Sequence, residues 1–283
     1  MKYLLNGYTP VNDLTTMQNM LRTLLSEFHN ICEKHGLVYN LFCGTFLGAV
    51  RHHDIIPWDD DVDVTMPRPD YERFLQIVEK EYSDHFFVFS YPQKNYVYPF
   101  AKFGKKGTLL IENAWREEYG KLMLYIDIFP MDGISETTEK DLHKRYQRAR
   151  KNKRNVEFCI EKIEASPCWW KKPFVIIRWL RSKLLNLFGY RYFLKKQLEE
   201  TQKYTYDECE LIGFVSPWGY EEKGILKKTQ YLDRKLYPFG EYYFWGMRNY
   251  HDCLTAWYGD YMTPPPEGKR TSPHNYALYI KTE

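Results

Sequence analysis

Across residues 12–35, apolar side chains recur at Leu14, Met17, Leu21, Leu24, Leu25, Phe28, Ile31 and Cys32. This three-and-four spacing predicts one long amphipathic helix with a single buried stripe. Gly36 is its natural stop, because glycine enters the left-handed conformation that ends helices without a Cβ penalty. Residues 37–43 then read as a short strand. A segment punctuated by Gly44 and Gly48 follows, then a loop at Pro57 and Trp58, then an acidic strand ending at Val64. Pro67 and Pro69 close that strand, since proline donates no ladder hydrogen bond. Helical spacing returns at Phe74, Ile77 and Val78 within residues 71–82, and residues 86–89 read as another strand. Two more short strands are expected at 98–103 and 108–112, joined by the basic turn Gly104-Lys105-Lys106-Gly107. Residues 122–129 form a strand carrying Asp127, closed by Pro130 and Gly133.

Strands interleaved with helices in this way predict an α/β (α+β) fold, a mixed sheet with flanking helices. Three parts are expected: a core over 1–137, a helical basic region over 138–219 broken at Ser166-Pro167, and a C-terminal aromatic segment over 220–283 that packs on the core. Residues 171–196 contain no Asp or Glu, while Lys171, Lys172, Arg178, Arg181, Lys183, Arg191, Lys195 and Lys196 alternate with Trp, Phe, Ile and Leu. Two roles stay open for this basic amphipathic region: packing its apolar face on the core, or lying on an anionic membrane with Trp169, Trp170 and Trp179 at the interface.

Composition narrows the choice of partners. The net charge of +3 over 283 residues is too small to argue for nucleic acid, which calls for a strong basic excess on one face. The six cysteines are scattered with no CxxC pair, so neither a zinc site nor a disulfide framework is signalled. No run of eighteen apolar residues occurs, and residues 1–8 lack the pattern of a secretory signal. The expected location is the cytoplasm, with the inner face of the cell membrane as the surface the basic region could touch. The chain is rich in aromatics, with 25 Tyr, 17 Phe and 8 Trp, residues suited to a core and to pockets for sugars or cations.

The chemistry concentrates at Asp59-Asp60-Asp61-Val62-Asp63-Val64. Side chains alternate across a strand, so Asp59, Asp61 and Asp63 share one face if the chain is already extended at Asp59. Like charges about 4 Å apart repel by roughly 1 kcal/mol in water and about 4 kcal/mol at an effective dielectric near 20. A partly buried cluster of this kind persists with protons or cations, and hard oxygen ligands suit Mg2+ or Mn2+. Asp127 adds a further strand-borne acid.

Gly44-Thr45-Phe46-Leu47-Gly48-Ala49-Val50-Arg51, followed by Ile56-Pro57-Trp58-Asp59-Asp60-Asp61-Val62-Asp63-Val64, closely resembles the signature of the LicD family of phosphotransferases, related to the fukutins. The resemblance extends to Pro99-Phe100-Ala101-Lys102, to 125–133 and to Tyr258-Gly259-Asp260-Tyr261. It implies a nucleotidyltransferase-like fold in which Gly44, Thr45 and Gly48 contact phosphate and Asp61, Asp63 and Asp127 bind a divalent metal. Family members transfer phosphocholine from CDP-choline, or a polyol phosphate from another CDP-alcohol, to a glycan hydroxyl. The glycan acceptors are of the lipopolysaccharide, capsule or teichoic acid type. The implied cofactor is therefore Mg2+ or Mn2+, and the implied partners are a CDP-alcohol and a glycan acceptor. Asp127 could also take the acceptor's proton, although a metal-held carboxylate is a weak base.

The remaining candidates each carry two readings. Arg51 and Lys102 are phosphate contacts or solvated surface charges. Trp58 stacks on a base or a quaternary ammonium, or packs in the core. Asp59, Arg68 and Asp132 orient the metal ligands, or serve as turn and capping residues. Two other functions remain compatible with an acidic DxD strand: a glycosyltransferase holding a nucleotide sugar, and a non-catalytic cation- or carbohydrate-binding protein.

Overall fold

The structure is a computed structural model that describes residues 7–163, 172–272 and 274–282. The break expected at Ser166-Pro167, together with Cys168, Trp169, Trp170 and Lys171, lies outside the described residues. Strand β1 (Tyr8–Val11) leads into helix α1 (Leu14–His35), capped by the Asp13 carboxylate, which accepts from the Thr16 amide at 2.7 Å, and closed by Gly36 at φ 60°. The stripe read from the sequence is the buried one, with Leu21, Leu24, Leu25 and Phe28 fully inaccessible. Each such side chain contributes roughly 1.5–3 kcal/mol by leaving water, well above any helix-propensity difference, so burial decides this helix's orientation.

Two local expectations change. The strand expected over 37–43 is only β2 (Asn40–Leu41), because helix α2 (Cys43–Arg51) begins immediately and absorbs the glycine segment. The paired short strands around the basic turn are one long strand, β5 (Ala101–Glu112), with its irregularity between Lys105 and Leu110 where Gly107 takes φ 81°. The remaining core elements are β3 (Asp63–Pro67), α3 (Arg68–Glu81), β4 (Phe86–Phe89), the short α4 (Glu117–Gly120) and β6 (Lys121–Ile134).

Nine strands among the described residues form one mixed sheet, with the main order β1-β11-β5-β6-β3-β2. Strand β11 (Tyr276–Lys281) comes from the far C-terminus and pairs antiparallel with the second half of β5, while β4 pairs with its first half. Strands β7 (Leu211–Gly213) and β8 (Leu226–Lys227) extend the far end of β6. A separate hairpin, β9 (Arg234–Phe239) with β10 (Tyr242–Met247), is followed by α9 (Tyr250–Tyr258). Short α8 (Lys228–Leu232) precedes it. One large apolar cluster runs from α1 through the sheet to Trp257 and Leu278.

The helical region consists of α5 (Glu139–Ile160), α6 (Lys172–Asn186) and α7 (Tyr190–Thr201). α5 and α7 share a small cluster built on Val156, Cys159, Ile160, Phe193 and Leu194. Arg145 pairs with Glu136 at 3.1 Å, both inaccessible to solvent. α6 differs: Leu185 reaches that cluster, yet Phe174, Ile177 and Leu184 remain 61–68% exposed. The core therefore covers little of its apolar surface.

Candidate active site

Register builds the centre of the site. Asp63 stands opposite Asp127 in the parallel β3/β6 pair, and Asp127 stands opposite Lys102 in the antiparallel β5/β6 pair. Residues opposite one another on neighbouring strands point to the same face, so three adjacent strands present acid, acid and amine in one row. Lys102 Nζ donates to Asp127 Oδ1 at 2.7 Å, with the lysine 2% exposed. Its ammonium also lies 3.6 Å from the Tyr125 ring centroid and 4.3 Å from that of Tyr98. Lys102 is thus a buried partner of Asp127 rather than a solvated charge.

Strand geometry begins only at Asp63, but the extended chain before it keeps the alternation. Asp59, Asp61, Asp63 and Asp127 act on one another electrostatically, and all four carboxyls are pushed above their ordinary value. Burial is the largest cause for each. The charge of Asp61 adds to it at Asp59, which rises to about 8, and at Asp63. Lys102 works against it at Asp127, which reaches only about 6.

Asp60 faces away and joins the C-terminal segment: His274 Nδ1 lies 2.8 Å from its Oδ1, and the Ser272 hydroxyl donates to Oδ2. His274 is also 3.8 Å from Asp61 Oδ2 and stacks on Tyr276 with centroids 4.7 Å apart. Burial pulls the His274 pKa down, but the hydrogen bond to Asp60 and the Asp61 charge outweigh it, leaving a net rise. Among the described residues, the group of three whose ligand-type atoms all lie within 4.8 Å of one another is Asp60, Asp61 and His274. The trio Asp61, Asp63 and Asp127 is not drawn that tightly, and one oxygen of Asp127 is held by Lys102.

Helix α2 supports this centre from below. The Thr45 hydroxyl accepts the Asp63 amide at 2.8 Å, fixing the strand start. Gly44 and Gly48 are close-approach positions. A Cβ on Gly44 would lie 2.6 Å from Asp59 Oδ2, and one on Gly48 would lie 2.5 Å from the Asp54 carbonyl. The acidic loop is tied to α1 as well: Gln18 Nε2 donates to the carbonyls of Asp59 and Ile56, and Arg22 grips both oxygens of Asp54 at 2.6 and 2.9 Å. Cys43, at φ 47°, occupies backbone space unusual for a residue with a side chain. Its thiol faces Asp63 and the Tyr220 hydroxyl, and burial pushes its pKa well up. Tyr220 stacks on Trp257 and shares a hydrogen bond with Tyr258.

Other sequence candidates have different roles. Arg68 and Asp132 form a bidentate pair at 2.7 Å, but Asp132 lies five residues beyond Asp127 on β6, about 16 Å along the strand. They clamp α3 to the end of the sheet and do not orient the acidic centre. Arg51 Nη1 donates to the Tyr261 carbonyl at 2.6 Å, which anchors the tail. Trp58 already carries a cation, the Arg270 guanidinium, 5.3 Å from its ring centroid. Sequence reasoning missed Gln18, Tyr220 and His274, which lie outside every quoted motif, and gave no role to Cys43 and Tyr258, although Cys43 adjoins the glycine segment and Tyr258 opens the quoted tail motif. The available signals were a glutamine beside Met17 on the α1 stripe and the tail motif that contains Tyr258.

The sheet is mixed and presents carboxylates at the start of β3 and midway along the parallel β6, and comparison with known proteins gives the class of protein. Residues 36–173 match the family described as LicD/FKTN/FKRP, nucleotidyltransferase domain. The lipopolysaccharide cholinephosphotransferase LicD of Haemophilus influenzae is 32% identical over 283 residues, covering 94% of this chain and 98% of that protein. An uncharacterised protein of Rickettsia typhi is 41% identical over 58 residues, 20% of this chain and 19% of that protein. The chain belongs to the LicD family.

Proposed function

We propose that the protein transfers phosphocholine from CDP-choline to a cell-surface glycan of the lipopolysaccharide type, with Asp61, Asp63 and Asp127 as its divalent-metal ligands. The observation that carries this reading is the row Asp63, Asp127 and Lys102 on three adjacent strands, at a cavity, in a chain similar along its length to a cholinephosphotransferase. Four acids, Asp63 buried and the other three half-buried, all with raised pKa values, make a hard-oxygen donor set that favours a cation over four protons. A divalent ion there would supply charge neutralisation for the transferred phosphoryl oxygens and the departing nucleotide, the main requirement of phosphoryl transfer. Mg2+ and Mn2+ both suit these ligands.

The protein's own groups do the rest. Thr45 holds the Asp63 backbone, so that carboxylate need not reorganise when charge develops. Lys102 restrains Asp127 and lines the cavity wall with its ammonium. His274, backed by Asp60, lines the same cavity and is placed to meet the acceptor hydroxyl. The test is transfer by the purified protein with Mg2+, CDP-choline and a lipopolysaccharide acceptor. CMP release coupled to phosphocholine on the glycan is expected; turnover with a UDP-sugar and none with CDP-choline would sink the reading.

The face of α6 supports a second part of this reading, contact with an anionic bilayer. Phe174, Ile177, Leu180 and Leu184 on the helix, with Leu187 and Phe188 in the turn after it, are all more than half exposed, and the same stretch carries Arg181 and Lys183. No acid occurs over 171–196 to oppose the negative surface. Such a face is suited to lie in the interface plane, and no helix among the described residues is long and apolar enough to cross a membrane. Vesicles containing phosphatidylglycerol should co-sediment with the protein and release it when Leu184 and Leu187 are changed to Glu. Equal binding by that variant would remove the membrane role.

A further inference from the structure

The Lys102 and Asp127 pair lines a cavity of about 380 Å3, whose wall also includes Tyr98, Glu112, Trp115, Trp218 and Tyr276. Glu112 is 5% exposed and makes no ion pair among the described residues. Its Oε1 accepts from the Tyr125 hydroxyl at 2.7 Å and its Oε2 from the Tyr98 hydroxyl at 2.5 Å. Trp115 Nε1 donates in turn to the Tyr98 oxygen at 2.9 Å, which fixes the indole beside the acid. Tyr276 stands directly opposite Glu112 in the β5/β11 ladder. A carboxylate without a cationic partner among the described residues has thus been placed among aromatic rings on the cavity wall, with Tyr125 between it and the Lys102 ammonium.

Resting on the reading above, we propose that Glu112, Tyr98, Trp115 and Tyr276 form the box that receives the quaternary ammonium of the transferred group and selects it over primary amines. A trimethylammonium donates no hydrogen bonds, so it is recognised by aromatic faces and by a nearby negative charge. Both Glu112 oxygens are already engaged by phenols, so the acid offers charge more readily than a fresh acceptor site, which disfavours an ammonium that must be hydrogen-bonded. The wall has affinity for cations: Lys102 holds the face of Tyr98 from the catalytic side, and Lys153 sits 4.6 Å over Trp218 with Glu157 matching its charge. Tyr98 therefore lies between the phosphate end and the ammonium end, as a short phosphocholine requires.

Calorimetric titration of the Mg2+-loaded protein with phosphocholine, phosphoethanolamine and the uncharged isostere 3,3-dimethylbutyl phosphate tests the assignment. Wild type should bind phosphocholine about tenfold tighter than either analogue, the size of one good cation-π or charge contact. Glu112→Gln and Trp115→Leu should each lose that preference while keeping wild-type affinity for CMP. Because Glu112→Gln disturbs two tyrosine bonds, Tyr276→Leu provides a variant that keeps both bonds to Glu112 and removes instead the Tyr276 hydroxyl contact to Tyr125 and the stack on His274. No preference in wild type, or an unchanged preference in all folded variants, overturns the box. Phosphocholine selectivity without CDP-choline turnover would retain the box and reject the transfer reaction. Turnover indifferent to the three substitutions would do the reverse.

Discussion

Lys102 and Asp127 face each other across β5 and β6 at 2.7 Å, with the ammonium boxed by Tyr125 and Tyr98 and almost no solvent on the lysine. Removing one member of a buried pair strands the other and costs about 3–5 kcal/mol. Asp127→Asn is expected to lower urea stability by that order and transfer activity by about a hundredfold or more. The double variant Lys102→Met with Asp127→Asn should recover much of the stability and none of the activity. Recovery of both would mean that the pair serves folding alone.

Asp63 sits at the start of β3, its amide held by Thr45 and its carboxyl facing Asp61 and Asp127. A metal at saturating concentration raises the melting temperature in proportion to its binding free energy, roughly 2.7 kcal/mol at a hundred times the dissociation constant. Wild type should show a Mg2+- or Mn2+-dependent thermal shift that Asp63→Asn abolishes without unfolding the chain. An undiminished shift in that variant would place the ion elsewhere, with Asp60 and His274 the next residues to test.

The acidic centre also dictates a pH dependence in chelator-treated protein. Asp59 and Asp127 hold protons up to about 8 and about 6 in the folded chain, against an ordinary value of 3.8. Above about pH 4 the unfolded chain has released protons that the folded chain retains, so stability falls as pH rises toward 8. The melting temperature of wild type should decline from about pH 6 to about pH 8 more steeply than that of Asp59→Asn. Parallel slopes would show that Asp59 is ionised throughout.

Gly48 and Gly44 separate packing from chemistry. A methyl at Gly48 meets the Asp54 backbone carbonyl, which has little room to retreat, and overpacking of this kind costs typically about 1–3 kcal/mol. At Gly44 the methyl meets only the Asp59 carboxylate, a side chain that can swing. Gly48→Ala is expected to destabilise the fold, whereas Gly44→Ala should keep most of the stability and lower transfer by displacing Asp59. Melting curves and initial rates on the two variants decide it.

The α1 stripe, the Gly36 stop and the alternation of Asp59, Asp61 and Asp63 were legible because each follows from a local period, 3.6 for the helix and 2 for extended chain. The glycine segment carries no element in the local pattern, and each of its two glycines costs about 1 kcal/mol of helix propensity. Its burial against the acidic loop outweighs that cost and makes it helix α2. Arg68 and Asp132 were read as neighbours of the metal ligands from closeness in the chain, whereas β3 and β6 carry both residues to the far end of the sheet.

By itself the sequence determined which side chains can carry charge, which faces must leave water, and which signature relates the chain to its family. Pairing and partner choice were decided by the tertiary structure. Only the parallel alignment of β3 with β6 brings Asp63 to Asp127, and only the return of β11 brings His274 to an aspartate 214 positions away. The same return sets Tyr276 opposite Glu112 and closes the aromatic wall. Periodicity is a property of neighbours along the chain, whereas a buried charge is neutralised by whatever group the folded backbone places within about 3 Å of it.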